Sequence, residues 1–439
     1  MKRRDKTARR VLIIGGGFAG LECAQRLAND SRFEVTLLDR TNHHLFQPLL
    51  YQVATASLAA PDIARSIRQI LSKAKNVTVL MDEVTGISPS EKTVTGKSGD
   101  VFDFDYLVLA AGAKTGYFGN DHWADHSMGL KTLADAQDIR RKVLSNLEKA
   151  ELTDDYAARE RLMTIAIVGG GPTGVELAGA CADLVHRSLE SNYRRIDTDK
   201  LRIVLIENSE EILDHYELEQ SQYARERLEG LGVEVRTSTR VMDVKEGKLE
   251  LNDDTVLEAE AIVWAAGVAA SPLTKDLGVE TDRGGRVTPN LDLSLPEHPN
   301  IFVAGDLVNM RDREDKFVPG VAPAATQMGD HIAKLLKEEL RLEKTRFADR
   351  KHSLRPLFKY TDKGMMAIIG KNAAVVKVGK FTLNGFFAWI TWLLVHILFL
   401  IGFRNKLSVL IGWAYAYIVN NPEARLIVHP PGIVSAPHK

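Results

Sequence analysis

The chain has 439 residues, 45% of them hydrophobic, and its 57 basic and 58 acidic side chains leave a formal net charge of −1. That length supports more than one core, and the balanced charge excludes the strongly basic surface of a nucleic-acid-binding chain. Two cysteines, Cys23 and Cys181, cannot build a disulfide framework, so a reducing compartment is expected.

Residues 1–10 are basic, but only residues 11–14 are apolar before a glycine cluster begins. A secretory core needs about 7–15 apolar residues, so no cleaved signal is expected. Residues 11–14 (Val-Leu-Ile-Ile) instead predict a buried parallel strand. Gly15, Gly17 and Gly20 follow at the spacing G-x-G-x-x-G, and the next residues have helical spacing. In such a turn one glycine makes the bend, one admits a pyrophosphate and one packs helix on strand. The helix N-terminus then offers N–H groups and a positive dipole to phosphate. A second predicted strand, 33–38, ends at Asp39, placed to bind a ribose hydroxyl.

The unit recurs. Residues 164–168 predict a strand, Gly169, Gly171 and Gly174 repeat the spacing, and a helix follows. The strand 202–206 ends at Glu207, with residues 186–200 lengthening the connecting helix. Two complete copies make coincidence implausible, so the chain is predicted to hold two dinucleotides. Three more apolar strands end in small residues: 105–112 at Gly112, 261–267 at Gly267 and 301–306 at Gly305 and Asp306.

Here the chain resembles the glutathione-reductase-like flavoproteins, in which an NAD domain interrupts an FAD domain and a late Gly-Asp returns to the flavin. The resemblance implies FAD on the first turn, NADH on the second, and Asp306 near the ribitol or phosphates. Disulfide or sulfide chemistry would need a cysteine pair beside the flavin, and Cys23 and Cys181 fall in helices as small buried hydrophobes. The segments 42–54, containing His43-His44-Leu45-Phe46-Gln47-Pro48, 360–370, and 392–397 with 400–405 are similar to type II, non-proton-pumping NADH:quinone oxidoreductases. That resemblance runs from about Arg10 to Val419 and lacks the Asp-rich loop of calcium-binding variants. It implies that Gln47 and Pro48 neighbour the flavin and that Glu176 lies near nicotinamide and flavin. Glu176 is expected in the first turn of its helix, where the dipole favours an acid. Two glutamines of the family's flavin and quinone side would fall at 323 and 327. This chain has Pro323 and Gln327, so only Gln327 is carried over. Adjacent His43 and His44 cannot converge on one ion, so no metal is expected.

Residues 386–403 are almost wholly apolar or aromatic, and a second apolar run covers 407–419. The first approaches the ~20 residues of a membrane span. Its aromatic richness favours helices lying on the membrane, with a single span or a dimer interface as the competing readings. The expected architecture is α/β, with two Rossmann-type dinucleotide-binding domains and a C-terminal membrane-associating helical segment. The division is 1–120 FAD domain, 121–280 inserted NADH domain, 281–345 FAD domain again, and 346–439 the membrane-associating region. The expected reaction passes electrons from NADH through FAD to a quinone. The expected partners are a quinone, the membrane surface and a second copy of the chain, with no nucleic acid. The expected location is peripheral, on the cytoplasmic side of the cell membrane. A soluble ferredoxin-type flavin reductase and a membrane-attached redox sensor are the alternatives.

Overall fold

The structure is a computed structural model and describes residues 8–185, 192–419 and 426–427. The elements used below are, in chain order, β1 (Arg9–Ile14), α1 (Phe18–Leu27), β2 (Phe33–Asp39), β3 (Val77–Met81), β4 (Tyr106–Leu109), β5 (Met128–Gly129), α2 (Leu133–Leu152) and β6 (Thr164–Val168). They continue with α3 (Pro172–Leu184), β7 (Arg202–Ile206), β8 (Val233–Arg236), β9 (Ala261–Trp264), β10 (Ile301–Val303) and α4 (Ala322–Leu342). The last are β11 (Met365–Ile368), β12 (Ala374–Val378), β13 (Phe381–Gly385), α5 (Phe386–Phe399) and α6 (Phe403–Val419). The chain forms two compact units. Among the described residues, one unit holds those up to Leu45, in Ala64–Lys114 and in Val268–Lys363; the other holds those in Phe46–Ile63, in Thr115–Gly267 and from Gly364.

The first unit is built on a parallel sheet in the order β10-β4-β1-β2-β3. Residues 11–14 and all of β4 and β10 are buried, which is why these strands read as continuous aliphatic runs. The β1–β2 register pairs Ile14 with Leu38, so the glycine turn after β1 comes level with Asp39. α4 packs on α1 at very close range: a Cβ on Gly329 would lie 2.1 Å from the Ala19 carbonyl oxygen. Glu339, fully buried on α4, accepts from Arg355 Nε at 2.9 Å and Nη2 at 2.6 Å, and from the Tyr106 hydroxyl at 2.8 Å. Arg355 Nη1 also reaches Asp292 at 3.1 Å. Each buried charge therefore has a partner, the condition under which an interior ion pair is tolerated.

The second unit repeats the plan in the order β5-β9-β6-β7-β8, again parallel. The strand before the glycine turn is central and the strand ending in the acid lies beside it, as in the first unit. An antiparallel sheet, β11-β12-β13, leads into α5 and α6. A Cβ on Gly179 of α3 would lie 2.6 Å from the Gly370 amide nitrogen, so that glycine admits the loop after β11. Residues 46–63, expected with the first domain, group with this unit because α6 holds them. Asn405 Nδ2 donates to the Pro61 and Asp62 carbonyls at 2.8 and 2.9 Å, and Trp413 Nε1 donates to Gln52 Oε1 at 2.8 Å. Residues 346–363, expected with the C-terminal region, group with the first unit.

The long apolar run splits into two helices. α5 stops after 14 residues and Gly402 turns the chain at φ 97°. At ~1.5 Å per residue α5 reaches only about 21 Å, and among the described residues no helix is long and apolar enough to cross a membrane. The lengthened connection over 186–200 lies partly outside the described residues; its described part holds one short 3₁₀ turn, Thr198–Lys200.

Candidate functional site

Both glycine turns fold alike. Gly15 and Gly169 bend the chain at φ 102° and 112°, a left-handed conformation that a side chain disfavours. A Cβ on Gly20 would meet the Gly15 carbonyl oxygen at 1.9 Å, and one on Gly174 the Gly169 oxygen at 1.8 Å. These third glycines let helix pack on turn. A Cβ on Gly17 or Gly171 would meet nothing within 4 Å. Each of these two is the N-cap of its helix, α1 or α3, and carries no side-chain cap. The result is an open cradle at a helix N-terminus, the geometry that takes a pyrophosphate.

The acids close the turns. Asp39 Oδ2 accepts the Gly16 N–H at 2.6 Å, and Glu207 Oε2 accepts the Gly170 N–H at 2.6 Å. The other oxygen of each accepts a backbone N–H two residues on, from Thr41 at 2.6 Å and from Ser209 at 2.7 Å. A carboxylate has about four acceptor positions, so each acid retains capacity for a ribose hydroxyl. The residues present therefore fit one dinucleotide per unit. In the first unit, Gly112 has open space at its Cβ position, and a Cβ on Gly305 would lie 3.6 Å from the Ala325 methyl. Asp306 lies 3.5 Å from a Cβ position on Gly320, ahead of α4. In the second, Gly267 follows β9, and a Cβ there would touch the Phe118 ring at 2.7 Å.

Glu176 departs from expectation. Pro172 starts α3 two residues before Gly174, so Glu176 is the fifth helical residue and faces the core rather than lying in the first turn. Its Oε1 takes a long contact, 3.4 Å, from the Ile368 N–H. Burial pushes its carboxyl up to about 8, against the Ile368 N–H and the Trp392 indole, which both lower it. The group is therefore a neutral acid at pH 7, able to donate as well as accept. Around it lie Tyr51, Trp392 and His396. Tyr51 and Trp392 meet edge-on at 6.5 Å, Trp392 and His396 stack at 3.8 Å, and Gln52 Nε2 donates to the Tyr51 hydroxyl at 2.8 Å. Burial brings His396 down to about 4, so its ring is neutral as well. Reading the sequence did not single out this aromatic and amide surround. The signal available was the i, i+4, i+8 spacing of Ala388, Trp392 and His396, the three buried residues of α5.

Gln47 and Pro48 form a short 3₁₀ turn, and Gln47 Nε2 donates to the Lys131 carbonyl at 3.0 Å. The Gln327 amide pairs with the backbone of one residue: Nε2 donates to the Thr361 carbonyl at 3.0 Å and Oε1 accepts the Thr361 N–H at 2.9 Å. Both cysteines are buried with thiols pushed up to about 12, which removes the thiolate that disulfide or sulfide chemistry needs. Among the described residues no cluster of His, Cys, Asp or Glu could hold a metal ion.

Two outcomes follow from this geometry. Gly20→Ala should cost the first turn its dinucleotide and Gly174→Ala the second turn its own; binding of FAD and of NADH to each purified variant, compared with the parent protein, checks both. Glu176 binds a proton in the folded state between its ordinary value near 4.5 and about 8, where the unfolded chain does not. Stability should therefore fall as pH rises through that window, and be fully present below it. Glu176→Gln should remove that part of the slope, read from urea midpoints at pH 5 and pH 8.5.

The pyridine nucleotide-disulphide oxidoreductase family matches residues 9–329. The type II NADH:quinone oxidoreductase Ndh of Mycobacterium tuberculosis is 40% identical over 420 residues, 93% of this chain and 88% of that protein. Among solved structures, NDH2 from Plasmodium falciparum in complex with NADH aligns with a TM-score of 0.85 at 20% identity, covering 96% of this chain and all of that one. The sulfide:quinone oxidoreductase from Aquifex aeolicus aligns at 0.68 and 18% identity, covering 96% of each chain. The two acid-closed glycine turns and the similarity along nearly the whole length place the chain in the type II NADH:quinone oxidoreductase family.

Proposed function

We propose that the protein moves two electrons from NADH through FAD to a membrane quinone, without pumping protons. The observation that carries this is the presence of two complete dinucleotide turns in a chain 40% identical, over 93% of its length, to a type II NADH:quinone oxidoreductase. On this reading the first turn holds FAD and the second NADH. Bound FAD supplies the chemistry, accepting hydride from NADH and giving electrons to the quinone. Gly17 and Gly171 admit the two pyrophosphates, and Asp39 and Glu207 take ribose hydroxyls. A carboxylate at Glu207 also disfavours the 2′-phosphate of NADPH. Glu176 holds a proton on a buried carboxyl at neutral pH. Gln327 acts by fixing Thr361 against α4 rather than by touching substrate.

Membrane attachment rests on α5 and α6. Phe387, Leu398 and Phe403 are 73%, 71% and 81% exposed, and Leu394, Phe399, Leu410 and Ile411 are also open to solvent. Soluble surfaces seldom show so continuous an apolar face. With neither helix able to span, the face suits a bilayer surface, where a lipid-soluble quinone is collected. The peripheral site is the cytoplasmic side, where NADH is available. A homodimer formed through the same face is the competing occupant.

Anaerobic NADH should bleach the flavin of the purified enzyme, and a quinone added next should restore its colour within the turnover time. Flavin that bleaches but is not reoxidised by quinone would reduce the protein to an NADH-binding sensor. Phe387→Ser, Leu398→Ser and Phe403→Ser together should free the protein from membranes. Ferricyanide turnover should stay, while turnover with a long-tailed quinone should fall roughly tenfold or more. A variant that instead turns from dimer to monomer on gel filtration, still membrane-bound, would assign the face to the homodimer.

A further inference from the structure

The middle glycine of each turn has two backbone groups to satisfy. In the second unit the Gly170 N–H goes to Glu207, and the Gly170 carbonyl accepts the Leu213 N–H at 2.9 Å. In the first unit the Gly16 N–H goes to Asp39 in the same way, but the carbonyl partner is a side chain: His44 Nδ1 lies 2.9 Å from the Gly16 oxygen. A carbonyl only accepts, so Nδ1 carries the proton and donates. The ring is 2% exposed, its Nε2 has no hydrogen-bond partner, and the Phe18 ring at the start of α1 packs edge-on against it at 5.1 Å. Burial lowers the imidazole below its ordinary value, although the hydrogen bond to Gly16 and the Asp39 charge oppose this, so the neutral Nδ1–H tautomer is the resident form. Gly16 is itself enclosed: a Cβ there would meet Ile67 Cδ1 at 2.4 Å. The Gly16 peptide is thus gripped at both ends, by an acid on one side and an imidazole on the other.

We infer that His44 is a positioning residue for the first phosphate-binding turn, holding the Gly16 carbonyl so that the Gly17 cradle keeps its shape for the flavin pyrophosphate. The inference rests on the assignment of FAD to the first turn. It gives His44 a role that needs the Nδ1–H donor and not the ring as such, and two substitutions separate these. His44→Phe keeps an aromatic ring against Phe18 and loses the donor. His44→Asn loses the ring, but its Nδ2 stands where Nδ1 stood.

The experiment measures FAD release from diluted holoenzyme by the rise of flavin fluorescence, and NAD⁺ affinity by calorimetry. Loss of one buried hydrogen bond should speed FAD release about tenfold in His44→Phe. His44→Asn should stay within about threefold of the parent protein, and NAD⁺ affinity should be unchanged in both. Normal release in His44→Phe with fast release in His44→Asn would make the ring's packing the role and overturn the inference. Fast release in both would do the same, because the donor would then not rescue. If His44→Phe fails to fold, His44→Asn decides alone: near-parental release supports the inference and tenfold faster release overturns it. Weakened NAD⁺ binding with FAD retention intact would show that the first turn does not hold FAD, a failure of the assignment that is distinct from the other outcomes.

Discussion

The hydrogen bond from the middle glycine's N–H to the acid ending the next strand is the contact on which both units depend. It spans 2.6 Å in each. A charge-assisted bond of this kind is worth roughly 1.5–3 kcal/mol. It can form only if the two strands are parallel neighbours in the register seen, with Ile14 beside Leu38 and Val168 beside Ile206. The bond therefore ties turn shape to sheet order. It holds the chain in a tight bend before any nucleotide arrives, and it aims the helix N-terminus at open space. The acid does two things with one carboxylate: it fixes the turn and it still presents acceptor positions where a ribose would lie.

This part of the molecule was legible in the sequence because its signals are local. Four aliphatics, three glycines at fixed spacing and an acid closing the next strand each act within one supersecondary unit. The surroundings of Glu176 were not legible. An acid two residues after the last glycine suggests the first turn of a helix, but α3, like α1, starts directly after the second glycine, so Glu176 is its fifth residue and is buried. What it then meets, Ile368 and Trp392, lies about two hundred residues away in the chain. Gln327 shows the same limit. Its type and position suggest a substrate contact, and its amide also pairs with the Thr361 backbone, a pairing that no local pattern announces.

The C-terminal run was legible as apolar but not as divided. Gly402 breaks it, and the division changes its physical meaning. One apolar helix near twenty residues would be a span; among the described residues, neither the 14-residue nor the 17-residue helix is long and apolar enough to cross a membrane. α5 buries Ala388, Trp392 and His396, one turn apart each, and turns Phe387, Leu394 and Leu398 outward. Trp392 of the inner stripe reaches Glu176, while the outer face is left open to solvent. The same short helix therefore serves the buried acid and supplies the apolar surface, which is economical for an enzyme whose second substrate dissolves in lipid.

The two turns differ in how the middle glycine's carbonyl is held, and the reason lies in what the following chain must do. After Glu207 the chain is free to curl back, so the Leu213 backbone reaches Gly170 directly, at the cost of a left-handed φ of 53°. Such a conformation costs a leucine roughly 1–2 kcal/mol. After Asp39 the chain is committed to a ribbon in which residues 43–45 pair with 64–66, with His44 opposite Arg65. The backbone there is bound into the ribbon, so a side chain must supply the donor. Histidine meets the need because its Nδ1–H is close to the main chain and its ring can be buried neutral. One constraint, a glycine peptide that must be satisfied at both ends, is thus met by strained backbone in one unit and by a buried imidazole in the other.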